Sequence, residues 1–236
     1  MVTKMNSIVE ITKKYLSLTD IQSEKLSFIC ERLVEMNGQL NLTALKTDEE
    51  IALLHIFDSL TLLQTGLFNG KSVIDIGCGG GFPSLPLAVC SNECSITAND
   101  STAKKLRFVE ETARDAGITN LKTLLGRAEE IARTERRETF DIAVARGVAR
   151  LDVLCELCIP MVKKGGFFIA MKGSKGKEEL NQAENAIKVL GGKTIDIVEV
   201  EIPLFDRMHT LIIIEKQRNT AGEYPRMYSK IIKQPL

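Results

Sequence analysis

The residues whose types and spacing suit chemistry begin in "VIDIGCGGGFPSLPLAV", residues 73–89. An apolar run with one acid, Asp75, gives way to glycines at 77, 79, 80 and 81 and then to Pro83 and Pro86. A strand that turns through glycines into a helix directs backbone N–H groups and the positive helix end to the carboxyl edge of a sheet. Glycine is required where a Cβ would block a ligand. The dinucleotide fingerprint G-x-G-x-x-G does not fit: its third position is Phe82 from Gly77 and Ser84 from Gly79. The pattern is D-x-G-x-G-x-G, Asp75, Gly77, Gly79 and Gly81. Asp100 ends the next β-rich run, "SITAND", at the distance (about twenty residues) where an acid accepts ribose hydroxyls. Ala128 and Glu129 follow the third run and suit the flank of a nucleobase, although a first-turn acid also favours its own helix dipole. Arg146 ends the fourth run, over the centre where such a site would react.

These residues need a scaffold of alternating strands and helices. Residues 1–70 are expected to form a helical extension: "VEITKKYLSL" and "IQSEKLSFICERLVEMNGQL" repeat apolar residues at three- and four-residue intervals, and Asn37-Gly38 marks a stop. "NLTAL" reads as extended, and "TDEE" offers a capping box for a third helix through "IALLHIFDSLTLLQTGL". From residue 71 to 216, five β-rich runs alternate with helical ones, which predicts a mostly parallel sheet covered on both faces. "PLFDRM" is too short for a crossover, so the last two strands pair as an antiparallel edge hairpin. Residues 217–236 form a basic tail.

Composition narrows the classes. The chain has 236 residues, 44% hydrophobic and 26% charged, with zero formal net charge, so the whole molecule does not advertise a polyanionic partner. Residues 1–70 carry six Lys/Arg against nine Asp/Glu, while residues 216–236 carry five against one. Neither a membrane span nor a signal peptide is expected, which points to the cytoplasm and to reduced cysteines. Cys155 and Cys158 form a C-x-x-C, but "LDVLCELCIPMV" has helical apolar spacing and no His accompanies it, so thiols packed as small hydrophobes are expected, with no metal.

The D-x-G-x-G-x-G loop resembles the first motif of S-adenosylmethionine-dependent methyltransferases, and the strand count is that of their Rossmann-like sheet. Amino-group methylation of bases commonly uses an Asn/Asp-Pro-Pro-aromatic turn after strand four, where this chain has "VARGVARLD"; a Pro-Cys pair for pyrimidine carbon-5 chemistry is absent. A ring nitrogen with a free lone pair needs neither. From "NLTAL" to the C-terminus the sequence resembles the bacterial RsmG (GidB) family, through "HIFDSL", "DIGCGGGFPSLP", "DSTAKKLRF", "RAEE", "ARGVARL", "AMKG" and "DRMHTLIIIEK". The tail resembles the Y-P-R-containing tail of the Gram-positive branch.

The resemblance implies methyl transfer from S-adenosyl-L-methionine to N7 of a guanine in 16S rRNA, on RNA or the small ribosomal subunit; a monomer is expected. It implies Gly77, Gly79 and Phe82 lining the cofactor, Asp75 and Asp100 at its two ends, Ala128 and Glu129 on the adenine side, and Arg146 facing cofactor and substrate. His55, Asp58, Lys172 and Arg226 become candidates for meeting RNA; His55 and Asp58 have the competing reading of fastening the N-terminal helices to the sheet. Departures from the family pattern are Ser84 and Gly147 for glycine and alanine, Asn99 before Asp100, and Leu54 where a cation is common. Two alternatives stand: the same cofactor with a small-molecule acceptor, and a non-catalytic dinucleotide-binding module.

Overall fold

Runs such as "VIDI", "FDIAVA" and "TLIII" are apolar at successive positions, which suits strands buried on both faces. The computed structural model describes residues 2–236, with side chains from residue 7. Helices α1 (Val2–Lys13) and α2 (Asp20–Leu40) come first. Thr19 and Gln22 form a capping box on α2. The expected stop at Asn37-Gly38 is overrun, and α2 ends at Asn41 in a left-handed conformation. Asn37 acts from inside the helix instead: its side chain donates to the Thr43 carbonyl (2.9 Å) and accepts the Thr43 N–H (2.9 Å), bracing the loop. "NLTAL" forms neither helix nor strand.

The Thr47–Glu50 capping box opens α3 (Asp48–Glu50) as expected. The helix then widens into π-helical Ile51–Phe57, returns as α4 (Asp58–Leu60) and tightens to a 3-10 turn over Thr61–Thr65. From here β1 (Ser72–Ile76), α5 (Ser84–Cys90), β2 (Ser95–Asp100), α6 (Ala103–Asp115), β3 (Leu121–Leu125), α7 (Ala128–Ile131), β4 (Phe140–Arg146), α8 (Leu151–Cys158), β5 (Val162–Lys172) and α9 (Gly176–Val189) alternate. Strands β6 (Gly192–Ile202) and β7 (Arg207–Lys216) and the short α10 (Tyr228–Lys233) complete the chain.

The seven strands lie in the order β3-β2-β1-β4-β5-β7-β6, with β1 to β5 parallel and β7 antiparallel to both of its neighbours. This is the expected α/β sheet with a C-terminal hairpin.

Side-chain alternation assigns each strand residue to a face. Val73, Ile142, Val144, Ile169, Met171, Leu211 and Ile213 enter one apolar core with Leu26, Ile29, Leu33, Ile51, Leu53 and Ile56 of the N-terminal helices. Ile74, Ala143, Ala145, Phe168, Ala170, Ile212 and Ile214 enter the other, with α8, α9 and Ile231 of α10. The N-terminal helical segment therefore shares a core with the sheet. Cys155 and Cys158 are fully buried on α8, and burial raises both thiols. Among the described residues, no helix is long and apolar enough to cross a membrane, and no His/Cys/Asp/Glu group is placed to hold a metal ion.

Candidate active site

A cleft of about 690 Å³ opens at the carboxyl ends of β1, β2, β3 and β4, the edge where open parallel sheets bind ligands. The glycine loop forms its floor. The N–H groups of Gly77 and Cys78 both donate to the Asn99 carbonyl (2.9 Å each), which ties the loop to β2. Gly77 has φ +74°, and a Cβ there would stand 2.6 Å from Val148 Cγ2. Gly79, at φ +55°, would point its Cβ into open space.

Asp75 lies beneath the cleft rather than in its lining. It is 1% exposed, and its Oδ2 accepts from the Ser84 hydroxyl and the Ser84 N–H (3.2 Å). Burial pushes its carboxyl up to about 6, against the pull of those hydrogen bonds and of Arg146. Ser84, the departure from the family's glycine, is thus the partner of the loop's own acid. Asp100 does line the cleft. Its Oδ2 accepts from the Gly79 N–H (3.1 Å) and its Oδ1 from the Thr102 N–H (2.8 Å), so it braces loop and turn while keeping lone pairs for a ligand. Ala128 and Glu129 line the wall after β3, and Arg127 Nε donates to Glu129 Oε1 (2.6 Å).

Arg146, expected to face cofactor and substrate, is heavily engaged. Like Ile142 and Val144 it projects toward the N-terminal helices. Its Nη1 donates to the Leu54 carbonyl (2.9 Å) and to Asp58 Oδ2 (2.8 Å), and its Nη2 to His55 Nδ1 (3.0 Å). Asp58, 1% exposed, also accepts from His209 Nδ1 (2.7 Å). Burial opposes its charge, but His209 and Arg146 outweigh it and hold the carboxyl below the usual range. Burial, reinforced by Arg146, drives His55 down to about 3. A neutral ring that accepts at Nδ1 carries its proton on Nε2, which donates to Thr43 Oγ1 (2.8 Å). The ring stacks on Phe82, with centroids 4.3 Å apart. His55 and Asp58 therefore line the cleft and also fasten the π-helical segment to the sheet, through Arg146 rather than to each other.

Two candidates are not brought to the cleft. Lys172 shares the opposite face with Phe168 and Ala170, where its Nζ meets Glu179 (2.7 Å) and donates to the Ala149 carbonyl (2.8 Å). Arg226 is held bidentately by Glu156, with Nη2 2.6 Å from Oε2 and Nε 2.9 Å from Oε1. Both cations are already neutralised, which removes the reason to assign them to RNA phosphate.

A family model, rRNA small subunit methyltransferase G, matches residues 22–208. The chain belongs to this family. Curated members named ribosomal RNA small subunit methyltransferase G match throughout: that of Clostridium perfringens is 43% identical over 90% of both chains. That of Lactobacillus acidophilus is 38% identical over 97% of both. Among solved structures, Pyrococcus horikoshii TYW2 in complex with MeSAdo superposes with a TM-score of 0.54 at 13% identity, covering 68% of this chain and 61% of that one. M. jannaschii TYW2 in complex with AdoMet gives 0.51 at 18%, covering 67% and 76%. These likenesses establish a shared fold.

The methyltransferase G match ends before the tail, yet the tail contributes to the cleft through Tyr228. Sequence reasoning missed Tyr228, Arg127, His209 and Thr43. For His209 a signal existed: in "MHTLIII" it shares parity with Leu211 and Ile213, and therefore a face with Arg146.

Proposed function

We propose that this chain transfers the methyl group of S-adenosyl-L-methionine to N7 of a guanine in 16S rRNA, acting on the small ribosomal subunit as a cytoplasmic monomer. The observation that carries the reading is the cleft itself. In a chain of the methyltransferase G family, the glycine loop, Asp100 and Glu129 converge on one cavity of about 690 Å³, within the usual range for small-ligand sites.

The residues present fit the cofactor. Gly79 lines the cleft with no side chain of its own, and no protein atom lies within 4 Å of where its Cβ would stand, so a ligand can approach the backbone there. Asp100 and Glu129 offer acceptor oxygens to hydroxyl and amino groups, and no helix-end phosphate cradle is required of the loop. When bound, the cofactor supplies an electrophilic methyl group on a sulfonium.

The chain's own work is then positioning. Guanine N7 carries its own lone pair, so no general base is needed. His55 agrees with that: both ring nitrogens are engaged, Nδ1 by Arg146 and Nε2 by Thr43, and the ring stays neutral. Arg146 holds the Leu54 carbonyl, His55 and Asp58 together at the cleft wall, fixing Phe82 through the His55 stack. Such preorganisation lowers the barrier by orientation.

The test is methyl transfer with purified protein and radiolabelled S-adenosylmethionine, using small subunits from cells that lack this gene. Label entering 16S rRNA as 7-methylguanine supports the reading. Absence of label in the rRNA, with wild-type protein that binds the cofactor, refutes the acceptor and leaves a small-molecule substrate.

A further inference from the structure

The tail that follows β7 carries cations but is not a free arm. Arg137 donates to the carbonyls of Tyr224 and Thr220 (2.7 Å each), and Arg133 to those of Pro225 (2.9 Å) and Glu223 (3.1 Å). Glu156, fully buried on α8, takes both the Arg226 backbone N–H (2.6 Å) and its guanidinium. Lys216 Nζ, 1% exposed, reaches Thr220 Oγ1 (2.6 Å) and Glu138 (3.1 Å). Ile231 of α10 is fully buried in the core between α8 and the sheet. Body and tail thus hold each other at a series of points, among them body arginines on tail carbonyls and a buried body glutamate on a tail arginine.

What these anchors position is Tyr228. It lines the cleft beside Arg127, Ala128, Glu129 and Leu157. The Arg127 guanidinium lies 4.4 Å from the Tyr228 ring centroid, and its Nε bonds Glu129. The three side chains form a chain of dependence: the tyrosine ring seats the arginine, and the arginine orients the glutamate.

We propose that the C-terminal tail is a wall of the cofactor site, with Tyr228 and Arg127 giving the nucleobase end of the cofactor an aromatic and cationic surface. This rests on the cleft being the S-adenosylmethionine site. An aromatic ring and a guanidinium plane both pack against a purine face, which fits this pair to a nucleobase. Of the tail's cations, Arg226 is spent on Glu156.

Calorimetry with S-adenosylhomocysteine tests it, alongside binding of a 16S rRNA fragment at two salt concentrations. Tyr228→Ala should raise the dissociation constant for S-adenosylhomocysteine on the order of tenfold. Tyr228→Phe should stay near wild type, and RNA affinity with its salt dependence should be unchanged. Arg127→Ala, at an exposed side chain, should weaken S-adenosylhomocysteine in the same direction and serves if Tyr228→Ala does not fold. Wild-type affinity for S-adenosylhomocysteine in both alanine variants overturns the proposal. So does a loss of RNA binding with a shallower salt slope while that affinity is kept. A wild-type protein that does not bind S-adenosylhomocysteine overturns the cofactor reading itself, and this wall with it.

Discussion

Asp58→Ala tests whether the Arg146 cluster is what fixes the N-terminal helical segment at the cleft. The carboxylate is 1% exposed and takes Nη1 of Arg146 at 2.8 Å and Nδ1 of His209 at 2.7 Å. Removing it leaves a guanidinium whose side chain is 16% exposed without its counter-charge. Loss of one partner from a buried ion pair costs roughly 3–5 kcal/mol. In a chain of this size each kcal/mol moves the melting temperature by about 2–4 °C, so a fall on the order of 10 °C is expected by calorimetric or circular-dichroism melting. Asp58→Asn, which keeps an acceptor for Arg146, should lose less. S-adenosylhomocysteine affinity should fall along with stability, because Leu54, His55 and Phe82 are held through the same guanidinium. An Asp58→Ala protein that melts within a degree or two of wild type would refute the reasoning.

Three further outcomes follow from the geometry. His55 is held neutral down to about 3, while its unfolded ring takes a proton at about 6.5, so its contribution is present above 6.5 and is lost as pH falls toward 3. Asp75, pushed up to about 6, runs the other way and loses its contribution as pH rises through 6, so the wild-type profile partly cancels. The stability advantage of wild type over His55→Gln should therefore shrink by about 2 kcal/mol between pH 7 and pH 5 in urea titrations; an equal difference at both pH values counts against the neutral ring. Gly79→Val, at a cleft-lining glycine whose φ of +55° strains any side chain, should cost S-adenosylhomocysteine more than tenfold in calorimetry, through the distorted loop and the added bulk, while the fold survives by circular dichroism; unchanged affinity would place the ligand elsewhere. Glu156→Ala should open the chain at Arg226 to trypsin within minutes under conditions where wild type resists, since Glu156 holds both the backbone and the side chain of Arg226.

The sheet and its glycine loop were readable because periodicity changes sharply at residue 71 and the strands are apolar on both faces. The position of Asp100 and Glu129 in one cleft followed from their places at strand ends. What local patterns could not carry was the identity of partners distant in sequence. Arg146 looked free for substrate because nothing near residue 146 announces Asp58 or His55, which lie about ninety positions away in the chain. Lys172 follows a strand-end rule that is blind to face: its parity with Phe168 and Ala170 sends it to Glu179, away from the cleft. Asn37-Gly38 signals a helix stop by composition, but the two hydrogen bonds between the Asn37 side chain and Thr43 are satisfied from within the helix. The cations of the tail are visible in the sequence but its anchoring is not, because Arg133 and Arg137 bind it through backbone carbonyls, which every residue carries.

The central claim is tested most directly by mapping 7-methylguanine in 16S rRNA through borohydride reduction and aniline cleavage, in cells with and without this gene. The account predicts one cleavage in the presence of the gene, absent on deletion and restored by the wild-type chain but not by Gly79→Val. An identical cleavage pattern in both strains would contradict it.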